Sequence, residues 1–235
     1  MADGIDARPR ARRIARFSPG GRVRLQTLVV IRWIALAGQA VAIILVHYGF
    51  GFDLPLALVI SAVVVSAVVN VILTARYPAP TRLKDGEAAA TLAFDTLQLG
   101  VLLFLTGGVQ NPFSILVLAP VTISAMTLSL RSTILLGILT FASLAFLAFY
   151  HLPLPWLAGG LELSPVYVFG IWTALAIGMI FITVYAWRIA EESRRMSDAL
   201  AATQETLAKE REMSAVGSLA AAAAHELARP WAPLP

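Results

Sequence analysis

Three groups of residues in this chain have the types and spacing for chemistry. The first is His225-Glu226, reached through the alanine-rich run Ala220-Ala221-Ala222-Ala223-Ala224. A neutral imidazole is a competent nucleophile at pH 7, and a neighbouring carboxylate raises its basicity and fixes its tautomer. The second is Arg32 and Asp95, two opposite charges inside otherwise apolar runs. A lone charge in hydrocarbon is costly, so such residues pair or face a bundle interior. The third is Gly107-Gly108-Val109-Gln110-Asn111-Pro112-Phe113 near the middle of the chain. Its two glycines permit backbone angles that a side chain forbids, and Asn-Pro places an extended residue ahead of a proline-initiated helix. That is a tight re-entry turn, a role that requires no ligand.

The elements that must position these groups follow from composition. The chain has 235 residues, 58% of them hydrophobic and 14% charged, with a mean hydropathy of +0.78. A soluble domain is nearer one-quarter charged. The apolar surplus falls in runs of the length that crosses a hydrocarbon core of ~30 Å. Six spans are expected, at about 25–48, 54–75, 88–106, 112–130, 132–150 and 165–187. The central turn separates the third from the fourth. No clean signal peptide precedes the first span, which is expected to be retained. With no cysteine, disulfides and thiol switches are excluded, and no metal site is expected.

Lysine and arginine sort by side. The connections at 49–53, 107–113 and 151–164 carry none, whereas the alternate ones carry Arg76, Arg82 and Lys84, then Arg131. Both tails are basic. The positive-inside rule then puts both termini in the cytoplasm and the central turn at the outer face. This distribution explains the pI of 9.8 without a nucleic-acid partner.

Spans four and five, separated by little more than Arg131-Ser132, are expected to form a tight hairpin. Arg32 and Asp95 lie at similar depth and are expected to approach each other, with Asn70 and Gln98 near enough to complete their hydrogen bonds. The alternative is that Arg32 snorkels to the headgroups and Asp95 carries a proton. Tyr150, Trp156 and Tyr167 suit an interfacial aromatic belt, and His47 and His151 read as water-facing at the same level, with a proton or ligand contact as the alternative reading of His151.

After Trp187 the chain becomes charged and alanine-rich, with Gly217 as its one glycine through residue 227. This predicts a long helix leaving the membrane. Met196, Leu200, Thr203 and Leu207 follow one heptad phase, and Met213, Val216, Ala220, Ala223 and Leu227 follow a second, offset by about one residue. The offset is a discontinuity in a coiled-coil seam. With Ala220 at position a, His225 falls at f, on the outside of a dimeric coiled coil. The fold class expected is therefore all-α: a six-transmembrane-helix bundle (25–187) behind a basic tail (1–24), then a cytoplasmic dimerisation helix (188–227).

The run Met213-Ser214-Ala215-Val216-Gly217-Ser218-Leu219 through His225-Glu226-Leu227 resembles the phospho-accepting H-box of sensor histidine kinases. Six spans, the Gly-Gly-x-x-Asn-Pro-Phe turn and the first-span segment Leu28–Gln39 further resemble the RegB/PrrB/ActS redox-responsive subfamily. The resemblance covers about residues 25–227. It implies that His225 accepts phosphate from ATP held with Mg by a separate catalytic domain, and that Glu226 acts as the orienting base. It implies a homodimer in a bacterial inner membrane and a response regulator as partner. It also implies ubiquinone as the signal ligand, with Gly107, Gly108 and Pro112 shaping the site. Asn111 and Phe113 would contact the quinone by amide hydrogen bond and ring stacking.

The departure from the family is at residues 228–235, where Ala228-Arg229-Pro230-Trp231-Ala232-Pro233-Leu234-Pro235 replaces Gly-Thr-Pro-Leu. Deleting one base from codons for Leu-Gly-Thr-Pro-Leu-Gly-Thr-Ile-Ala yields this tail, so a frameshift is the expectation, and the chain as given is expected to lack the ATP-binding domain and to be inactive alone. Two other function classes stay open: a membrane binding or transport module whose C-terminal helix only dimerises, and a quinone-dependent enzyme. No repeat relates the two halves, against transport, and no intramembrane histidine pair or cysteine offers a haem or cluster ligand, against the enzyme.

Overall fold

A computed structural model describes residues 23–77, 81–153 and 163–227. Six α-helices account for most of them: α1 (Leu25–Ile44, continued by a π-helical turn Leu45–Gly49), α2 (Leu56–Arg76), α3 (Asp85–Leu105), α4 (Leu118–Thr127), α5 (Leu130–Phe149) and α6 (Pro165–Leu227). In hydrocarbon every backbone amide must be satisfied within its own segment, which helices achieve. Two two-residue strands, β1 (Val23–Arg24) and β2 (Arg82–Leu83), pair antiparallel. They hold the start of α1 beside the start of α3, reinforced by Leu25 N donating to Thr81 O at 3.2 Å.

Five helices are long and apolar enough to cross a membrane, and the apolar stretch Pro112–Thr127 is shorter. It is nevertheless near spanning length. Its first part, Pro112–Val117, is 3₁₀-helical. At about 2.0 Å per residue for six 3₁₀ residues and 1.5 Å for ten α residues, it reaches roughly 27 Å. The six-span bundle stands, with the fourth crossing tighter and thinner than a regular helix.

The α4–α5 hairpin turns at Leu128-Ser129, slightly earlier than the sequence indicates, so Arg131 and Ser132 belong to the first turn of α5. The reason is capping. The Ser129 hydroxyl accepts from Ser132 N at 3.3 Å, and a serine N-cap outcompetes the helix interior for that position. Asp85, the first residue of α3, takes bonds from Ser129 N (2.7 Å), Ser129 Oγ (2.7 Å) and Ser132 Oγ (2.5 Å). One carboxylate thereby pins the base of α3 to the base of α5.

The densest packing joins α4 to α6 and α3 to α5, and α4 also packs on α5. Val117, Val121, Ala125, Leu144, Leu147 and Val109 are wholly buried there. The α1–α2 pair leans on α3 from outside, and its far faces are apolar and exposed, Ile34 and Val41 among them. Such a face suits lipid, not water. Tyr150 and Tyr167 are exposed at one end of the bundle, as a belt requires, while Trp156 lies outside the described residues.

Candidate functional site

The first constellation lies within the bundle. Arg32 is 5% exposed, and its Nε stands 2.8 Å from Asp95 Oδ1 as an ion pair between α1 and α3. Its Nη2 donates to Thr91 O at 3.1 Å, and its guanidinium lies 5.6 Å from the centre of the Phe94 ring. A planar five-donor fork is suited to this combination of carboxylate, carbonyl and ring face. Its Nη1 is buried without a partner. The helices do this through periodicity: Leu25, Leu28, Arg32 and Leu36 form the buried stripe of α1, and Leu92 and Thr96 flank Asp95 on α3.

Asn70 and Gln98 do not join the pair. Asn70 donates across to Val29 O at 3.2 Å, and Gln98 forms a reciprocal amide pair with Gln39, at 3.0 and 3.3 Å. The Gln39–Gln98 pair matches donor to acceptor in both directions, whereas the Val29 carbonyl meets only the donor of Asn70 and leaves its Oδ1 buried without a partner. Gln39 lies seven residues after Arg32, two turns along the same face. Arg32, Gln39, Ser66, Asp95 and Gln98 border a small cavity of about 80 Å³. The α1–α3 contact is thus a polar seam, of which only Arg32 and Asp95 were readable as charges.

The second constellation is the central turn. Gly107 and Gly108 both have positive φ, 110° and 61°. A Cβ on Gly108 would stand 2.5 Å from Leu147 O and 2.7 Å from the His151 ring. This glycine is therefore required twice, for its angle and for close approach of the turn to the end of α5. Asn111 is consumed locally: its Nδ2 donates to Thr106 O (2.9 Å) and Thr106 Oγ1 (2.7 Å), and its Oδ1 accepts from Phe113 N (2.8 Å). Both amide protons are committed to closing the turn, so Asn111 has no free donor for a ligand in this conformation. Pro112 starts the 3₁₀ helix, and the Phe113 ring is 44% exposed.

The polar groups that the turn does present are Gln110 and His151, whose Nε2 atoms are 3.3 Å apart. His151 is half-buried against the turn and does more than face water. This contact is not legible in the sequence, because 41 residues separate the two partners and nothing in the periodicity brings them together. Similarly, His47 Nδ1 lies 2.9 Å from Phe52 O, which ties down the connection after α1.

The third constellation is on α6, a continuous helix of 63 residues. His225 lies near its end with an exposed side chain, and Met196, Leu200, Leu207, Met213 and Val216 are exposed along its length. Salt bridges at helical spacing support the exposed part: Glu191 with Arg194 and Arg195, and Glu205 with Lys209 at 2.9 Å. A hydrogen bond from Lys209, and then its charge, hold Glu205 below the usual carboxylate range and Lys209 above its own. The side chain of Glu226 and residues 228–235 lie outside what is described.

No group of acids, histidines or cysteines arranged to hold a metal ion occurs among the described residues. The three constellations are not one site. The turn and the ion pair are at different depths of the bundle, and His225 is carried away from both by α6.

Comparison with known proteins gives these sites a family context. The chain is similar to two curated proteins from Cereibacter sphaeroides, each named sensor histidine kinase RegB. It is 47% identical to the first over 211 residues, covering 89% of this chain and 46% of that protein. It is 47% identical to the second, from a specific strain, over 219 residues, covering 92% of this chain and 47% of that protein. The resemblance to RegB-type sensor kinases is thereby borne out across the bundle and the signalling helix, although the chain spans about half the length of these relatives. No solved structure matches. Residues 21–159 match the family described as PilS-like transmembrane domain, which takes in the N-terminal strand, the first five crossings and the central turn. This multi-pass membrane chain belongs to the PilS-like transmembrane domain family.

Proposed function

We propose that this chain is the sensing and phosphoacceptor portion of a membrane sensor histidine kinase. The observation that carries the proposal is α6: one uninterrupted helix runs from the packed bundle to an exposed histidine, in a chain similar to sensor histidine kinases over about nine-tenths of its length. From Trp187 to His225 it covers roughly 57 Å at 1.5 Å per residue. A displacement at the membrane face is thus delivered to the phosphoacceptor without a hinge. In this reading His225 attacks the γ-phosphoryl of ATP supplied with Mg by a catalytic domain outside these residues. Glu226 orients the imidazole, and the phosphoryl group then passes to a response regulator. The apolar stripe of Met196, Leu200, Leu207, Met213 and Val216, exposed in one copy, is covered in a homodimer.

The signal in this reading is the redox state of a membrane quinone at the central turn. Phe113 provides an exposed ring for stacking. Because Asn111 is committed to Thr106, the hydrogen bond to a quinone carbonyl falls to Gln110 or His151. In this reading both termini are cytoplasmic and the turn is at the outer face of a bacterial inner membrane, an orientation that the basic connections support.

The test is phosphate transfer in reconstituted bilayers. The chain, in nanodiscs with either ubiquinone or ubiquinol, is incubated with labelled ATP and the separately purified catalytic region of a RegB relative. Acid-labile label is expected on the wild type and none on His225→Gln, with a rate that differs between the two quinone states. Label on His225→Gln overturns the phosphoacceptor assignment, and equal rates in both quinone states overturn the ligand while leaving the kinase reading intact.

A further inference from the structure

A second site lies at the opposite end of the bundle from the turn, between α5 and α6. Leu130, Ile134, Ile138 and Phe141 on one side face Met179, Ile180, Val184 and Trp187 on the other across a groove of about 390 Å³. That volume lies within the range of small-molecule sites. Its wall is almost wholly apolar. Thr133 and Thr183 also line it, and both hydroxyls are buried without a hydrogen-bond partner. Thr133 itself is only 3% exposed.

The ends of the groove carry the charge. On α5 the lining residues Ile134 and Ile138 continue backwards by one turn to Arg131, and on α6 Ile180 and Val184 continue forwards by one turn to Arg188. Residues three and four apart share a helix face, so each arginine terminates the stripe that forms its wall. Both are exposed, and neither has an ion-pair or hydrogen-bond partner among the described residues. Trp187 stands at the same level, as an indole at a bilayer surface does. Between Leu130 and Phe141 the groove extends about 17 Å along α5, close to the roughly 15 Å hydrocarbon depth of one leaflet.

From these observations we infer that the α5–α6 groove binds an anionic glycerophospholipid, one acyl chain between the helices and its phosphate bridged by Arg131 and Arg188. The dimensions select a chain of leaflet length. The unpaired guanidiniums select a negative headgroup, and the two idle hydroxyls offer donors near the depth of the ester carbonyls. A second copy of α6 laid in the groove, with Glu191 and Glu192 as partners for the arginines, is the competing occupant that the experiment below separates from lipid. The bound headgroup would join the root of the α4–α5 hairpin to the point where α6 departs for His225. The lipid thereby becomes a regulator of helix position that is independent of any ligand at the turn.

The experiment uses tryptophan quenching. A variant retaining only Trp187 is reconstituted in nanodiscs of zwitterionic lipid containing a minor fraction of acyl-brominated phosphatidylglycerol or, in parallel, acyl-brominated phosphatidylcholine. A matching variant retaining only Trp33, which is 45% exposed on α1, reports the general lipid shell. Two arginines at a membrane surface, at about 1 kcal/mol each, correspond to an enrichment of roughly thirtyfold for an anionic over a neutral lipid. Trp187 is therefore expected to be quenched much more by the anionic lipid, Trp33 about equally by both, and the Trp187 excess should vanish in Arg131→Gln/Arg188→Gln.

Equal quenching of Trp187 by both lipids overturns the site, as does an excess that survives the double substitution. Protection of Trp187 from both lipids means that protein fills the groove and also overturns it. A second readout avoids the tryptophan substitutions: the unaltered chain should retain phosphatidylglycerol through detergent exchange in native mass spectrometry, and Arg131→Gln/Arg188→Gln should lose it.

Discussion

Breaking the Arg32–Asp95 pair tests the architecture most directly, because its two halves should fail differently. The pair is 2.8 Å apart, with the arginine 5% and the aspartate 21% exposed. Arg32→Leu strands a carboxylate inside the bundle. That carboxylate has an escape, since it can take up a proton. From an ordinary carboxylate pKa near 3.9, protonation at pH 7 costs about 4 kcal/mol at 1.36 kcal/mol per unit, which caps the loss. At pH 5 the same cap falls to about 1.5 kcal/mol. Asp95→Leu strands a guanidinium, which cannot deprotonate in a protein and keeps Thr91 O as its remaining partner. Its loss is expected at about 3–5 kcal/mol, as for other broken buried pairs, and should not depend on pH. Replacing both residues with leucine removes both charges and fills the same space, so the double variant is expected within about 1 kcal/mol of wild type. The assay is a double-mutant cycle on reversible unfolding in mixed micelles, run at both pH values. A coupling energy below about 0.5 kcal/mol, or an Arg32→Leu penalty as large at pH 5 as at pH 7, would refute the reasoning.

Two further substitutions probe how the bundle is pinned. Gly108→Ala forces a Cβ into Leu147 O and the His151 ring at a φ of 61°, and a loss above about 2 kcal/mol is expected from strain and displacement together. Gly38→Ala and Gly100→Ala, whose added Cβ meets nothing within 4 Å, serve as helical controls and should be neutral or stabilising in the same unfolding assay. Asp85→Ala removes the acceptor of three hydrogen bonds at the base of α5 and should cost about 1–3 kcal/mol, with faster amide exchange at Ser129 as its local signature.

The spans were legible because lipid enforces a strong rule, that about 20 apolar residues are needed to cross, and the chain obeys it in five of six cases. The exception, Pro112–Val117, is informative. Residue content gives hydropathy but not rise per residue, and the 3₁₀ geometry that lengthens this crossing is set by the Asn111 cap and Pro112. Arg32 and Asp95 stood out because charge is rare in hydrocarbon. Gln39 and Gln98 did not pair on paper, because an amide in a span has many partners and only the register of α1 against α3 selects one. The same holds for the turn. Its glycines were legible as positive-φ residues, but the closeness of Leu147 and His151, which makes Gly108 indispensable, belongs to the packing of α5. Asn111 was assigned to a ligand by resemblance, whereas its donors close the turn on Thr106.

The distribution of polar contacts also says which elements are free to move. α1 is fixed to α3 by an ion pair and an amide pair, to α2 by Asn70, and α3 is fixed to α5 through Asp85. Among the described residues, no side-chain hydrogen bond or ion pair links α6 to another helix: Thr173 bonds to its own backbone, and the Trp172 indole N–H is buried without a partner. Apolar contact is non-directional, so a packed apolar interface admits a second register at lower cost than a seam of matched polar groups. The bundle therefore has a pinned frame, α1 with α2, α3 and α5, and two helices, α4 and α6, that pack on it and on each other without a polar side-chain link among the described residues. Of these, α6 touches the central turn near one end of its membrane portion and carries the α5–α6 groove near the other. In the proposed reading, a ligand at either place acts on a helix held by non-directional apolar packing, and that helix carries His225.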